Sequence, residues 1–232
     1  MVHRPPSIRT LTGILCRFDI NGLARIYPLT NTNLLDFLRT RRSIRRFKPD
    51  PVPDSVIREL LHTATFAPSA HNRQPWRFVV LTDPAAKKRL SDSMLEEFQH
   101  DLEKDNLPPE KIVKLVNRSR ERLTGAPVVI LLCVDMTEMD AYPDMRRRKA
   151  EYIIATQSAA NAGMQLLLAA HAEGLGGVWV CSPMFAQETV QKTLGIPESW
   201  EPQAIFLLGY PDETPSLRER KPLEEVVKLI RP

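Results

Sequence analysis

From Asp144 to Ala172 the chain runs without a proline and with few β-branched residues, a pattern that predicts one long helix. Its second half, Ala159-Ala160-Asn161-Ala162-Gly163-Met164-Gln165-Leu166-Leu167-Leu168-Ala169-Ala170, is small and apolar almost all round. A helix with no polar face must be buried, either in a core or against another subunit. The remaining elements have to be arranged around it. At 232 residues the chain is long enough to do so, and its 43% apolar and 26% charged residues are ordinary globular usage. That balance excludes a disordered chain, a collagen and a disulfide scaffold.

Around the helix the punctuation is clear. Leu34, Leu35, Phe37 and Leu38 sit at helical spacing, and Pro53-Asp54-Ser55 opens a helix carrying Val56, Ile57, Leu60, Leu61 and Ala64. A polar loop, Pro68 to Trp76, leads into a strand from Phe78 to Leu81. Residues 84–123 read as two charged helices broken near Pro108-Pro109, placed where they could cover a site. Pro127 to Val134 reads as a buried strand. After the long helix, Gly174 caps it, Gly176-Gly177 turns the chain, and Val178-Trp179-Val180 begins a strand. A helix from about Ala186 to Leu194 and a strand from Ala204 to Leu208 follow, before a proline-rich tail. Helices mixed with short strands give an α+β or mixed α/β class. Residues 1–31, without periodicity, are expected to form an N-terminal extension, and 32–232 a single domain.

No apolar run approaches the roughly 18 to 20 residues of a membrane span. The patch Leu11 to Cys16 is cut short by Arg17 and Asp19, so no signal peptide is expected. Cys16, Cys133 and Cys181 are odd in number and never form C-x-x-C, which argues against a disulfide framework and fits a reducing, cytoplasmic setting. Charge is unevenly placed: residues 1–48 hold ten Lys/Arg against two Asp/Glu, a local +8 in a chain of net +4. Half of those ten lie in one short run, Arg41, Arg42, Arg45, Arg46 and Lys48, which suits one compact anion better than a nucleic-acid strand.

Several chemistries are absent from the sequence. There is no phosphate loop, no H-E-x-x-H, no G-x-S-x-G, and the histidines at 3, 62, 71, 100 and 171 never pair at metal-ligand spacing. Gly174-Leu175-Gly176-Gly177-Val178-Trp179 approaches G-x-G-x-x-G, but a helix precedes it and a strand follows, the reverse of a Rossmann turn. Three loop-borne clusters remain: Arg41-Arg42-Ser43-Ile44-Arg45, Ser69 to Trp76, and Gly174 to Trp179, with Arg218 to Lys221 as a fourth. Guanidinium forks beside a hydroxyl suit a phosphate monoester. Asn72 and Gln74 can read a heterocycle's edge, and glycines at 176 and 177 let backbone N–H groups approach a flat ligand. Phosphate, polyol and planar ring together describe flavin mononucleotide (FMN). Taken singly, each cluster is equally a solvated face, a helix stop or a helix cap.

The ordered set R-R-S-I-R-R-F, A-P-S-A-H-N-R-Q-P-W-R-F, A-E-G-L-G-G-V-W, G-Y-P-D-E and R-E-R-K-P-L-E-E-V resembles the nitroreductase family of flavoproteins over residues 33–229. The stretches 141–148 and 198–202 resemble, within it, the flavin domain of bifunctional coenzyme F-420 biosynthesis proteins. The resemblance implies an α+β sandwich: a central mixed, mainly antiparallel sheet flanked by helices, forming a homodimer with FMN at the subunit interface. It implies that Arg41, Arg42, Ser43, Ile44 and Arg45 form the strip holding the FMN phosphate and ribityl chain. Ser69 and Asn72 would approach the ring, the Gly176-Gly177 backbone would face its redox-active edge, and Arg218 or Arg220 would close on the phosphate. His71 stands before Asn72, so the ring contact need not fall on Asn72 itself. Asp101 would line a second-substrate pocket. No side-chain acid, base or metal is implied, because the flavin carries a ping-pong hydride transfer from NAD(P)H to a small acceptor. The acceptor readings are the dehydro precursor of coenzyme F-420, a deazaflavin, or a broad range of nitro compounds and quinones. A flavin- or deazaflavin-binding module without turnover is the alternative from another class.

Overall fold

The computed structural model describes residues 14–18, 24–28 and 31–231. The chain divides into two compact units, Met1–Arg41 and Arg42–Pro232. In the first, strands β1 (Ile14–Phe18) and β2 (Ala24–Pro28) pair antiparallel with Leu15 opposite Tyr27, and helix α1 spans Asn31–Thr40. The extension expected over 1–31 lies for the most part outside the described residues. Leu34, Leu35 and Leu38 of α1 are all exposed.

The second unit runs α2 (Asp54–Ala64), β3 (Trp76–Leu81), α3 (Pro84–Lys104), α4 (Pro109–Gly125), β4 (Val128–Asp135), α5 (Met145–Ala172), β5 (Gly176–Val180), α6 (Gln187–Leu194), β6 (Trp200–Gly209) and a short α7 (Leu223–Val226). Four strands form one antiparallel sheet in the order β3-β4-β6-β5. A parallel bridge, Ser43 to Gly177, adds the segment before α2 to its edge, so the sheet is mixed and mainly antiparallel.

Alternation explains the layers. Every residue of β4 is buried, with Val128, Ile130, Leu132 and Val134 joining one apolar cluster and Val129, Leu131 and Cys133 the other. The first cluster contains α2 and α5, the second residues of α3, α4 and α6, so helices cover both faces. The small residues of α5 set its distance from the sheet: a Cβ added at Gly163 would stand 2.6 Å from both Phe206 Cζ and the Trp179 ring. Asp144 starts that helix by accepting the Arg147 N–H at 2.9 Å. On the far side of α5, Ile153, Gln157, Ala160 and Met164 form an exposed stripe at helical spacing.

One local expectation is corrected. Gly176 and Gly177 do not turn the chain; they are the first two residues of β5, both buried, and the positive-φ turn glycine is Gly174 (φ 74°). They are glycines because side chains from elsewhere fill the space of a Cβ. At Gly176 that Cβ would meet three Ile44 carbons at 2.7–2.8 Å, and at Gly177 the Leu208 and Leu167 Cδ2 methyls at 2.6 and 2.8 Å.

Candidate functional site

The segment Arg42 to Lys48 is held along its length by backbone contacts. Ile44 N–H donates to Gly177 O at 3.1 Å at one end, and Lys48 N–H donates to Tyr210 O at 2.9 Å at the other. Between them, Asp212 N–H donates to Arg46 O at 3.0 Å. Ile44 is buried against Gly176, which fixes the alternation: Ser43 and Arg45 must point away from that contact. Arg42 and Ser43 are half-buried and Arg45 is exposed. Arg41 is the half-buried last residue of the first unit.

Glu213 is the fixing group that sequence reasoning missed. Its Oε1 accepts the Arg45 N–H at 2.5 Å and the Arg46 N–H at 3.2 Å, while Oε2 pairs with Arg46 Nε at 3.3 Å. Burial alone would raise its pKa, but these hydrogen bonds and the Arg46 charge outweigh it and hold the carboxyl below its ordinary range. Glu213 stands in the G-Y-P-D-E motif, yet no local pattern ties it to arginines 167 and 168 residues upstream.

The second cluster is a strained loop. His71, Asn72 and Gln74 have φ of 49°, 54° and 51°, in the left-handed region that side-chain-bearing residues rarely occupy. Such geometry persists only when the surroundings fix it, and here α5 supplies the anchors. Ser158 Oγ accepts the Ala70 N–H at 3.2 Å, and Asn161 Nδ2 donates to Pro68 O at 3.2 Å. Ser69 Oγ accepts the Gln74 N–H at 3.1 Å, and Gln74 Nε2 donates to Asn72 Oδ1 at 3.3 Å. Arg77 braces the exit, donating to Gln74 O at 3.2 Å and pairing with Asp135 at 3.2 Å; Arg73 pairs with Asp140. Sequence reading singled out neither Ser158 nor Asn161, which stand among other polar residues of α5. Their loop partners lie about ninety residues away.

Ser43 and Ile44 are therefore brought onto Gly176 and Gly177, and Ser69 and Asn72 share one loop. Arg218 and Arg220 stand in the exposed stretch beyond Glu213, where Arg220 Nη1 reaches only the neighbouring carbonyls of Arg218 and Glu219, each at 3.5 Å. Asp101, an exposed residue of α3, lines a cavity of about 440 Å³ together with Cys181 and Ser182, just past β5. Cys133 is inert: burial, and then the Glu201 charge, push its thiol pKa up to about 12.

The donor set fits a flavin nucleotide in its chemistry. Arg42, Ser43 and Arg45 offer guanidinium and hydroxyl donors on a backbone whose own N–H groups at 44, 45 and 46 are already paired. The loop offers amide groups held in a conformation it would not adopt unaided. Gly176 and Gly177 fit differently from the expectation: the close approach they permit is to Ile44, Leu167 and Leu208. Among the described residues no group of His, Cys, Asp and Glu could hold a metal ion, and no helix is long and apolar enough to cross a membrane.

Comparison with known proteins gives these observations a context. The model described as Nitroreductase family matches residues 38–210. A Thermus thermophilus protein named NADH dehydrogenase is 33% identical over 213 residues, 81% of this chain and 91% of its own length. A Bacillus subtilis protein, provisionally named NAD(P)H nitroreductase YfhC, is 30% identical over 83% of this chain and 91% of its own. Among solved structures, a provisionally named nitroreductase from Desulfovibrio desulfuricans in complex with FMN superposes with a TM-score of 0.66. It is 28% identical and covers 88% of this chain and 99% of its own.

Proposed function

The chain belongs to the nitroreductase family, and on that premise we propose that it is an FMN-dependent oxidoreductase passing electrons from NAD(P)H to a small nitro or quinone acceptor. The carrying observation is the segment 42–48, whose backbone is pinned by Gly177, Tyr210, Asp212 and Glu213. FMN, when bound, supplies a two-electron carrier that accepts a hydride from the nicotinamide and returns it to the acceptor. Arg42, Ser43 and Arg45 hold the phosphate and the adjoining polyol, with Arg218 or Arg220 closing from the tail. Ser69 and Asn72 orient the ring edge. Gly176 and Gly177 act by seating Ile44, and so by aiming its neighbours. Asp101 faces the acceptor. No side chain of this set is needed as acid or base.

The relatives' names give no support to the narrower acceptor suggested by residues 141–148 and 198–202, the dehydro precursor of coenzyme F-420. A homodimer is part of the reading. Its support is the exposed Ile153–Met164 stripe of α5 and the exposed Leu217, Leu223, Val226 and Ile230 of the tail, apolar surface that a second copy would cover.

The test is a visible spectrum of the purified protein, followed by anaerobic NADPH. A flavin band that bleaches, and recovers on adding a nitroaromatic or a quinone, is expected; absence of bound flavin and of any affinity for added FMN overturns the reading. Recovery with the F-420 precursor alone would replace the acceptor class. Arg42→Ala should weaken FMN binding by about 1.5–3 kcal/mol, the worth of one charge-assisted bond. Unchanged affinity in that variant would remove Arg42 from the phosphate site.

A further inference from the structure

Gln74 is the hub of the loop that carries Ser69 and Asn72. Its N–H donates to Ser69 Oγ at 3.1 Å and its side-chain amide donates to Asn72 Oδ1 at 3.3 Å, so both residues proposed to orient the ring edge are tied to it. It is also the residue of that loop least suited to its conformation. Three residues there occupy the left-handed region, His71 (φ 49°), Asn72 (φ 54°) and Gln74 (φ 51°). Histidine and asparagine are among the side chains enriched in that region, and glutamine is not. A left-handed glutamine left to itself is disfavoured by roughly 5- to 30-fold.

The opposing hold comes from Asp135, the last residue of β4. Trp76 pairs with Val134 in the sheet, which brings Asp135 opposite Pro75, and the Asp135 N–H donates to Pro75 O at 2.8 Å. The Asp135 side chain is buried, so its charge requires a partner, and Oδ2 finds one in Arg77 at 3.2 Å. Arg77 Nη1 donates in turn to Gln74 O at 3.2 Å and to Trp76 O at 3.0 Å. The other carboxylate oxygen accepts the Thr137 N–H at 3.0 Å and the Thr137 hydroxyl at 2.6 Å, which fixes the orientation of the group. Glu138 also stands 3.6 Å from Arg77, but its side chain is 58% exposed and such a pair holds little.

We propose that Asp135 and Arg77 are positioning residues for the flavin: they hold Gln74 in its left-handed conformation and, through it, set Ser69 and Asn72 at the ring edge. The inference deepens the oxidoreductase reading and rests on it for the identity of the ligand. Neither residue is assigned a contact with the flavin. Their effect passes through the fraction of molecules whose loop is already in place, because apparent affinity falls in proportion to that fraction.

Asp135→Asn keeps the size of the side chain and removes the charge that holds Arg77. Hydrogen exchange at the Gln74 amide should accelerate, and FMN titrated calorimetrically into the full chain freed of flavin should bind about 5- to 30-fold more weakly. Arg77→Lys should act likewise, because an ammonium on an unbranched stem lacks the fork that reaches Gln74 O and Asp135 together. Glu138→Gln should leave FMN affinity within about twofold of the parent's. Gln74→Gly supplies the test of mechanism. Glycine takes positive φ without a steric penalty, so on this background the brace has no strained residue to hold, and adding Asp135→Asn should change FMN affinity by less than about twofold. An Asp135 that only stabilised the fold would cost the same on either background. The same comparison made with Arg77→Lys serves where Asp135→Asn does not fold. An equal loss on both backgrounds, unchanged exchange at Gln74, or unchanged FMN affinity in Asp135→Asn and Arg77→Lys overturns the proposal and, with a parent that binds FMN, leaves the oxidoreductase reading standing. A parent that binds no FMN overturns that reading and this one together.

Discussion

Gly176→Ala tests whether the arginine segment is positioned by contact with β5. The added Cβ would lie 2.7 Å from Ile44 Cβ and 2.8 Å from both Cγ1 and Cγ2, against ordinary carbon contacts of about 3.5–4.0 Å. Roughly 0.7–1 Å of movement is therefore required. Rotating Ile44 about χ1 gives no relief, because its Cβ, attached directly to the backbone, is itself one of the clashing atoms. The backbone must move, and it is tied by the Ile44 N–H to Gly177 O bond at 3.1 Å. Overpacking of this kind costs about 1–3 kcal/mol, and loss of the hydrogen bond adds about 1. A destabilisation of about 2–4 kcal/mol corresponds to a fall in Tm of roughly 4–16 °C for a chain of this size.

Gly177→Ala is the matched control. Its clashes at 2.6 and 2.8 Å are with terminal methyls of Leu208 and Leu167, which can rotate aside. The cost should be near the lower end of the overpacking range, about 1 kcal/mol, with little displacement of residues 43–45. Differential scanning calorimetry and FMN titration of both variants supply the comparison. Gly176→Ala should be the less stable protein and the weaker FMN binder. If the two variants lose stability equally, or if Gly176→Ala binds FMN as tightly as the parent, the segment is not aimed by this contact.

Three further outcomes follow from the same geometry. Glu213→Gln should lose about 1–2 kcal/mol near neutral pH. Because the folded carboxyl titrates below its ordinary 4.5, that contribution is full above this value and disappears as pH falls through the folded pKa; urea melts in which the difference persists at the lowest pH would contradict it. Ser158→Ala removes the acceptor of the Ala70 N–H, and hydrogen exchange at that amide should accelerate about tenfold, the equivalent of 1.4 kcal/mol; unchanged protection would show the strained loop to be held otherwise. In the folded protein a maleimide should modify Cys181 and spare buried Cys133, with both reacting after denaturation. Early modification of Cys133 would mean the sheet opens locally.

What could be read from sequence was what periodicity carries. The nearly all-apolar β4, the small-residue helix α5 and the helix pair separated at Pro108-Pro109 each declare themselves locally, because burial on two faces, small size along a helix and a proline break each leave a local pattern. Strand β5 did not. Gly176 and Gly177 have no side chains to alternate, and the reasons for their smallness are distant in sequence: Ile44, more than 130 residues earlier, at Gly176, and Leu208 and Leu167 at Gly177. The same is true of the site: the R-R-S-I-R run is evident as a motif, but its clamp, Glu213, is fixed by tertiary structure. Asp101 could be singled out only through resemblance, and its neighbours Cys181 and Ser182 are contributed by a turn eighty residues on.

The charges around the arginine segment bear on the proposed cofactor site. Glu213 is the acid at the arginine segment, and its lone pairs are largely spent on the Arg45 and Arg46 main chain and on Arg46 Nε. Arg122, near the end of α4, lies in the field of the same segment. Burial first, and then the Arg118 and Arg45 charges, push its pKa down, with Glu213 only partly opposing them. A guanidinium does not deprotonate in response. The phosphate proposed for the Arg42–Arg45 segment would add an anion to that field.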